Sequence, residues 1–314
     1  MSLRRIDGYN QVILIHIMPA SVRRYDLLKA RIDRFTRMLP GIETGEVRAV
    51  HLTRVASRRL RELLPLLQLD QDASKLVRRL RKVTRRLGRV RELDVLLPLI
   101  VEWRDSGQGG ERALNRVAES VRAARNAARD EWAGKAAALE LRRVGRKLES
   151  AAKRLVRADT RSSARGWRWA LEARVTRRAS ALRDAITEAG AVYLPERLHA
   201  VRIALKKLRY GVELWSEAAG LKANPDLRRL KRSQELLGRL HDQQVLIDYV
   251  RREQASLTSS HATVGRELDA LITALENSCR GRHARYVRDR SVLTALCDRL
   301  AARPVRVEPA RRVG

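Results

Sequence analysis

Apolar residues recur every three or four positions along most of the chain, and arginine, lysine and glutamate fill the positions between them. That period lets an α-helix bury a single face. Glycine and proline interrupt the pattern at Pro40-Gly41 and at residues 105–110, 190–195 and 220–225. The segments between these breaks predict helices near residues 21–39, 46–68, 72–104, 111–157, 163–188, 195–219, 224–256, 260–280 and 283–302. We therefore predict an all-α fold.

Three helix boundaries carry more specific expectations. Asp70 or Asp72 is expected to cap the third helix, since aspartate accepts hydrogen bonds from the first free backbone N–H groups. The long helix over 111–157 is expected to bend near Gly134, because the corresponding stretch of the second half divides into two helices around Gly281.

A basic pattern occurs at residues 51–61 and again 148 residues later, at 199–209. Both copies fit H-x-x-R-[VI]-A-x-[RK]-[RK]-L-R. A second matching block follows each copy, at residues 80–92 and 230–242. Internal repetition over this distance predicts two similar helical halves.

We divide the chain into a first half-repeat at 21–160 and a second at 161–303, which together form one domain. Residues 1–20 are an N-terminal extension, and 304–314 are predicted to be a disordered basic tail. The apolar run at 12–18 is too short to span a bilayer and lacks the cleavage site of a signal peptide. We therefore expect a cytoplasmic protein with no membrane partner.

On a helical wheel, the cations of each motif copy fall on one face, opposite leucine and alanine. The residues on these two faces are His51, Arg54, Arg58, Arg61, His199, Arg202, Lys206 and Arg209. Arg59 and Lys207 lie at the boundary, where a long stem can cover apolar surface. A solvated face usually mixes both signs, yet neither stripe contains a carboxylate. Because like charges one turn apart repel, the pattern indicates a bound anion.

The downstream blocks carry a second pair of stripes. The first consists of Arg78, Lys82, Arg85 and Arg89, and its equivalents in the second half are Arg228, Arg232, Glu235 and Arg239. One cation has become Glu235, so the second stripe is the weaker of the two. Gly88 and Gly238 sit within these helices, where we expect close helix packing rather than room for a ligand.

Carboxylates follow directly, as Glu92, Asp94 and Asp242. They could form a pair for acid–base chemistry. Because Arg89, Arg91 and Arg239 flank these carboxylates, we instead expect them to hold arginines through ion pairs.

The composition points to a polyanionic partner. The chain has 67 Lys+Arg against 36 Asp+Glu, a net charge of +31, and its pI is near 11.5. Aromatic residues make up only 4%, which disfavours proteins that stack on nucleic-acid bases. The two cysteines lack the spacing of a zinc site or a disulfide scaffold, so we expect reduced thiols and no metal.

With these motifs, the chain resembles the CHAD family, the conserved histidine α-helical domain. The residues responsible are the two copies of the basic motif and the two L-G-R blocks at 87–95 and 237–242. The resemblance implies two similar antiparallel helical bundles, related by pseudo-twofold symmetry around a basic groove or pore. It also implies binding of inorganic polyphosphate, often on polyphosphate granules. The E-x-E-x-K pattern of the triphosphate-tunnel domain, which many relatives carry, does not occur here.

The resemblance also implies which residues contact the anion. By matching positions these are His51, Arg54, Arg58, Arg61, Lys82, Arg89, His199, Arg202, Lys206, Arg209, Arg232 and Arg239, to which the wheel adds Arg59, Arg85 and Lys207. Two departures weaken the second half. Glu235 stands where the first half has Arg85, and His241 stands where it has Arg91.

Our leading hypothesis is a polyphosphate-binding protein without catalytic residues or a cofactor. The first alternative is a helical nucleic-acid-binding protein, since DNA carries the same phosphates. The second is a phosphoryl-transfer or phosphohydrolase enzyme that uses His51 or His199. Such an enzyme needs a carboxylate to orient the histidine, and the sequence positions none.

Overall fold

The computed structural model describes residues 23–302 apart from 68, 133–134, 159–160, 222–223 and 258–261. This part of the chain contains helices and no strand, which confirms the all-α prediction. In chain order the helices are α1 (Arg24–Thr36), α2 (Leu39–Glu43), α3 (Val47–Leu63), α4 (Asp70–Asp105), α5 (Glu111–Trp132), α6 (Lys135–Ala158), α7 (Arg161–Ala189), α8 (Pro195–Ala218), α9 (Pro225–Ala255) and α10 (Ala262–Ala301). A short 3-10 turn, Leu64–Leu66, follows α3.

Two of the expected boundaries are wrong. Helix α10 continues through Gly281, where we expected a break. Burial of Cys279 and Tyr286 on either side of this glycine anchors the helix, and that packing outweighs the cost of about 1 kcal/mol for a helical glycine. The N-cap position of α4 is Leu69 rather than Asp70 or Asp72. Gly134, the expected bend, lies outside the described residues, as do 1–20 and 304–314.

Local sequence explains where α8 ends and α9 begins. Gly220 adopts a φ of 67°, which favours glycine, and its N–H donates to the carbonyl of Glu217 at 3.1 Å. The N–H of Leu221 donates to Ser216 at 2.9 Å, which completes a Schellman ending. Asn224 then caps α9 by accepting a hydrogen bond from the N–H of Leu227 at 3.2 Å. These features bring α9 back beside α8.

The hydrophobic core consists of two clusters. The first joins α1 to α6 with the beginning of α7, the end of α8, the later part of α9 and the first part of α10. The second joins the rest of α7 with the earlier part of α8, the early part of α9 and the end of α10. The division therefore runs through α7, α8, α9 and α10, and these helices connect the two clusters.

Helix packing brings the two motif copies together. Helix α3 packs on α4, α8 packs on α9, and α3 contacts α8 directly. The first motif lies on α3 and the second lies on α8, so their cationic faces meet between the halves. The pseudo-twofold relation between those halves stays a prediction.

Two further sequence expectations concern the membrane and the cysteines. None of the helices in the described ranges is long and apolar enough to cross a bilayer. Cys279 and Cys297 are buried free thiols.

Candidate functional site

A groove of about 570 Å³ opens between α3, α4 and α8. Its walls are Arg54, Arg58, Arg61, Glu62, Arg81, Thr84, Arg85, Gly88, Arg89, Glu92, Ile203, Lys206, Lys207 and Tyr210. Eight of these residues are cations and two are carboxylates, so the groove is strongly positive. We refer to this surface as the basic groove.

The basic groove unites cations from both copies of the motif. Seven of the residues predicted from the sequence line it, namely Arg54, Arg58, Arg61, Arg85, Arg89, Lys206 and Lys207. They reach it because α3 and α4 present their stripes to the same space, and α8 closes the opposite side. Residues about 150 positions apart in sequence therefore line the same groove.

Burial and mutual repulsion hold these cations in an unfavourable electrostatic environment. Burial, and then Arg58 and Arg91, lower the pKa of Arg54 to about 10. Burial, followed by Arg202, Arg58 and Arg54, lowers the pKa of Lys206 to about 7. The pKa of Arg61 is also lowered, chiefly by burial and then by Arg81. Each shift indicates a charge that the folded protein does not fully compensate.

Most of the groove cations lack a carboxylate partner within the described structure. Arg54, Arg58, Arg61, Arg81, Arg85, Lys206 and Lys207 form no ion pair with another described residue, and the buried Nε atoms of Arg54 and Arg61 have no hydrogen-bond partner there. Arg89 lies 3.5 Å from Glu131, and both side chains are about 70% exposed, so that pair is weak. Free guanidinium groups can bind phosphate oxygens through two parallel hydrogen bonds.

The histidines lie beyond the lining of the groove. His51 is exposed, and its Nδ1 accepts a hydrogen bond of 3.1 Å from Nε of Arg91. The His199 ring lies 5.0 Å from that of His241. Burial is the main cause that lowers the pKa of both His51 and His199, and nearby cations lower it further. Both imidazoles are therefore neutral at pH 7 before any anion binds.

A second group of titratable side chains lies near His199 and consists of Arg202, His241 and Asp242. Burial is the main cause that lowers the pKa of Arg202, although Asp242 opposes that shift. The pKa of Asp242 is raised by burial against the pull of Arg202. Burial, then Arg202, lowers the pKa of His241 to about 4, so this imidazole is neutral over the physiological range. Arg202 is thus the permanent cation at this end.

Two predicted site residues belong to a buried ion-pair network instead of the groove. Arg59 bonds to Glu213, and Arg209 lies 3.2 Å from the same carboxylate. Nε of Arg209 also donates to Gln234 at 2.6 Å, and its guanidinium lies 4.2 Å from the centre of the Tyr210 ring. Arg209 is buried, and Glu213 compensates its charge inside the fold.

Three more predicted residues lie elsewhere on the surface. Lys82 faces α6 on another side of α4. Arg239 pairs with Glu102 at 2.6 Å, and both side chains are half exposed. Arg232 is exposed on α9 and does not line the basic groove. The stripe of the second downstream block therefore contributes nothing to the groove walls.

Sequence reasoning missed several groove residues. Arg81 lies one turn before Arg85, and a wheel centred on Arg85 would have included it. Glu62 follows directly after the first motif, and Arg178 of α7 holds it at 2.5 Å. The backbone oxygen of Glu62 also accepts a 2.7 Å hydrogen bond from Arg174. No local signal connects α7 to the motif, so this support could not have been predicted.

The acidic residues behave only partly as expected. Asp94 does hold an arginine, but its partner is Arg125 of α5 at 2.6 Å rather than a neighbour in sequence. Glu92 lines the basic groove and forms no ion pair with a described residue. Its position places one unpaired carboxylate among the groove cations.

The expectation of close helix packing at the two glycines is wrong. A Cβ at Gly88 would lie 3.7 Å from the Arg54 guanidinium, which is an ordinary contact, and a Cβ at Gly238 would meet nothing within 4 Å. Gly88 lines the groove wall, where the missing side chain leaves room beside Arg54.

Known proteins share this architecture. The family model of the CHAD domain matches residues 26–251 of the chain. The chain is similar to the solved structure of PptA from Streptomyces chartreusis, with 18% identity, a TM-score of 0.56, and coverage of 88% of this chain and 98% of that one. It is also similar to the CHAD domain from the plant Ricinus communis, with 20% identity, a TM-score of 0.49, and coverage of 90% and 91%. No curated protein matches the chain. The likeness to PptA supports the fold.

Proposed function

The chain belongs to the CHAD domain family, and on that premise we propose that its basic groove binds inorganic polyphosphate without chemical change. One observation carries the proposal. Cations from both motif copies line a single groove, and most of them have no carboxylate partner in the described structure. A polyanion would supply the missing negative charge.

A phosphate chain suits this groove better than a compact anion. Cations on α3, α4 and α8 surround the groove from three helices, and a flexible chain can present successive phosphates to each wall. Arginine forks bind pairs of phosphate oxygens, and lysine adds charge with less demanding geometry. Each contact also releases counterions, so the affinity should fall steeply with salt.

The wall composition disfavours ligands that carry bases. Tyr210 is the aromatic residue among the lining side chains, and it is buried beneath the Arg209 guanidinium. Its ring is therefore unavailable for stacking, whereas proteins that bind single-stranded nucleic acid offer exposed aromatic platforms.

We assign direct phosphate contact to Arg54, Arg58, Arg61, Arg81, Arg85, Arg89, Arg202, Lys206 and Lys207. Arg59 and Arg209 have a structural role in this proposal because Glu213 neutralises them. His51 and His199 add positive charge when protonated, and bound phosphates would raise the pKa of both. A non-catalytic role accords with His51, whose Nδ1 faces an arginine N–H instead of a carboxylate.

The two motif copies support the internal duplication that the sequence predicts. Each supplies one wall of the groove, so a pseudo-twofold axis would pass between α3 and α8. In the cell we propose a cytoplasmic binding or scaffolding protein, associated with polyphosphate granules.

A competition titration tests this function. Labelled long-chain polyphosphate bound to the full-length protein is displaced by unlabelled polyphosphate or by duplex DNA of equal charge, at near-physiological salt. We expect polyphosphate to compete at least tenfold better. Equal competition would indicate a general cationic surface and would favour the nucleic-acid alternative.

A further inference from the structure

A second cationic surface lies on another side of α4. Two depressions, of about 520 Å³ and 230 Å³, run along the seam between α4 and α6 and share Arg79 in their walls. Their cations are Lys75, Arg79, Lys82, Arg86, Arg143, Lys147 and Arg154. We call this surface the α4–α6 furrow. All seven side chains are exposed.

The furrow has two facing rows of cations. The first depression joins residues 79–86 of α4 to 139–144 of α6, and the second joins 75–79 to 147–154. The helices therefore run antiparallel, and the ends of each row of cations are eleven residues apart, or roughly 16 Å at 1.5 Å per residue. Packed helices lie about 8–10 Å apart, so both rows converge on one line between them.

Little negative charge offsets these rows. Glu140 is the carboxylate that lines the two depressions, and Arg86 holds it at 2.7 Å. Arg79, Lys82, Arg143 and Lys147 form no ion pair with another described residue. Solvated helix faces usually mix both signs, so an uncompensated double row favours an anionic ligand.

The furrow continues directly from the basic groove. Residues 75–91 of α4 contain nine cations and no carboxylate. On the helical wheel, Arg81, Arg85 and Arg89 face the groove, and the furrow residues of α4 lie roughly 90° further round. Lys82 and Arg85 are one turn apart, and no acidic residue of α4 lies between them.

We propose that the α4–α6 furrow extends the binding site around α4, so that the protein distinguishes long polyphosphate chains from short ones. The proposal rests on the proposed function of the basic groove. A short chain fills the groove alone. A long chain leaves the groove across α4 and occupies the furrow with a further run of phosphates.

The shape of the furrow favours a single phosphate chain over duplex DNA. A chain one phosphate wide can lie between two rows on packed helices and contact both. The grooves of a DNA duplex separate its phosphate strands by about 6 Å and 12 Å, so a duplex would rest on the tips of the cations. The furrow walls also lack aromatic residues.

The test measures the binding of tripolyphosphate, long-chain polyphosphate and duplex DNA to the full chain and to two matched variants. The furrow variant carries Arg79→Gln, Lys82→Gln, Arg143→Gln and Lys147→Gln. The control variant also loses four exposed cations, by Arg112→Gln, Arg266→Gln, Arg285→Gln and Arg288→Gln, all away from the groove and the furrow. Circular dichroism and thermal unfolding establish that both variants fold.

We expect the furrow variant to bind long-chain polyphosphate about tenfold more weakly, since exposed ionic contacts are individually modest. Its affinity for tripolyphosphate should match that of the parent, and the control should stay within about threefold for both ligands.

Several outcomes overturn the proposal and are distinguishable from one another. An unchanged affinity for long chains would show that the furrow is only a solvated surface, while the groove function stands. An equal loss of affinity in the control variant would show that the effect comes from net charge alone. A selective loss of duplex DNA binding would make the furrow a nucleic-acid surface. Failure of the parent to bind either polyphosphate would instead contradict the proposed function itself.

Discussion

The two copies of the basic motif carry equivalent residues but use them in opposite ways. Arg61 of the first copy lines the groove, whereas its equivalent Arg209 is buried against Glu213. Lys207 of the second copy lines the groove, whereas its equivalent Arg59 bonds to the same glutamate. The motif repeats the cations, and their surroundings decide which of them face the ligand.

A single residue outside the motif explains this exchange. Glu213 lies one turn after Arg209 on α8, and the corresponding position of the first copy is Pro65. Only the second copy therefore has a carboxylate at this position. That carboxylate neutralises one cation from each copy and leaves Arg61 and Lys207 to the groove.

The downstream helices differ in the same manner. Arg81, Arg85 and Arg89 of α4 line the groove, but none of the equivalent residues Lys231, Glu235 and Arg239 of α9 does so. The groove is therefore built mainly from the first copy, with α8 as its second wall.

The largest expected effect is the loss of polyphosphate affinity when groove cations of the first copy are removed, and it tests the difference between the two copies. A variant with Arg54→Gln, Arg58→Gln and Arg85→Gln should bind long-chain polyphosphate about 100-fold more weakly, and the slope of log affinity against log salt should fall by about three. Titrations at several salt concentrations measure both quantities.

The matched control removes three exposed cations of α9 through Arg228→Gln, Lys231→Gln and Arg232→Gln. We expect a change within about threefold. If both variants lost affinity equally, the two copies would contribute alike and the asymmetry of the groove would be wrong.

Glu213 should matter for stability. Glu213→Gln leaves Arg59 and the buried Arg209 without a compensating charge, and we expect the free energy of unfolding to fall by about 3 kcal/mol. Urea denaturation with an unchanged m-value measures the loss. Glu131→Gln is the control, since its exposed pair with Arg89 should contribute less than about 1 kcal/mol. Equal losses in the two variants would show that Glu213 has no special structural role.

Lys206 should make binding depend on pH. Its pKa of about 7 means that the free groove loses this charge above neutral pH, whereas a bound phosphate chain favours the protonated form. Affinity for long-chain polyphosphate should therefore weaken about tenfold from about pH 7 to about pH 8.5. Lys206→Arg keeps the charge throughout, so its affinity should stay nearly constant over the same range. A parent profile as flat as that of this variant would exclude Lys206 as the titrating group.

The same group affects stability in a defined direction. Since the pKa of Lys206 falls from 10.5 to about 7 on folding, the unfolded chain binds more protons between those values. The contribution of Lys206 to stability therefore rises with pH across that window. Lys206→Gln should raise Tm most below about pH 7, and the gain should vanish near about pH 10.5.

The sequence predicted those parts of the site that depend on a single helix. Arg54, Arg58 and Arg61 reach the groove because the period of α3 already separates cations from leucines. Lys82 lies outside the basic groove because α4 is 36 residues long and presents different faces to α3, α6 and α8. A wheel places residues on a face, but it does not show which neighbour covers that face.

The remaining differences between prediction and structure come from contacts distant in sequence. The partner of Arg59 lies 154 residues away, and the partner of Asp94 lies 31 residues away. Glu62 is held by Arg174 and Arg178, which belong to no motif. Ion pairs of this kind depend on how the helices pack, and the charge pattern of the sequence does not predict that packing.

The smallest expected effect comes from exchanging one residue between the two copies. His241 stands where the first copy has Arg91, and its pKa of about 4 leaves it neutral at pH 7.5. His241→Arg would add a permanent cation beside Arg202, so we expect long-chain polyphosphate to bind about threefold more tightly at that pH. The added charge repels Arg202 and Lys206, so Tm should fall without ligand and recover when polyphosphate is present. The reciprocal change, Arg91→His, should weaken binding by a similar factor. If His241→Arg left the affinity unchanged while Arg91→His reduced it, the phosphate chain would contact only the first copy's end of the site.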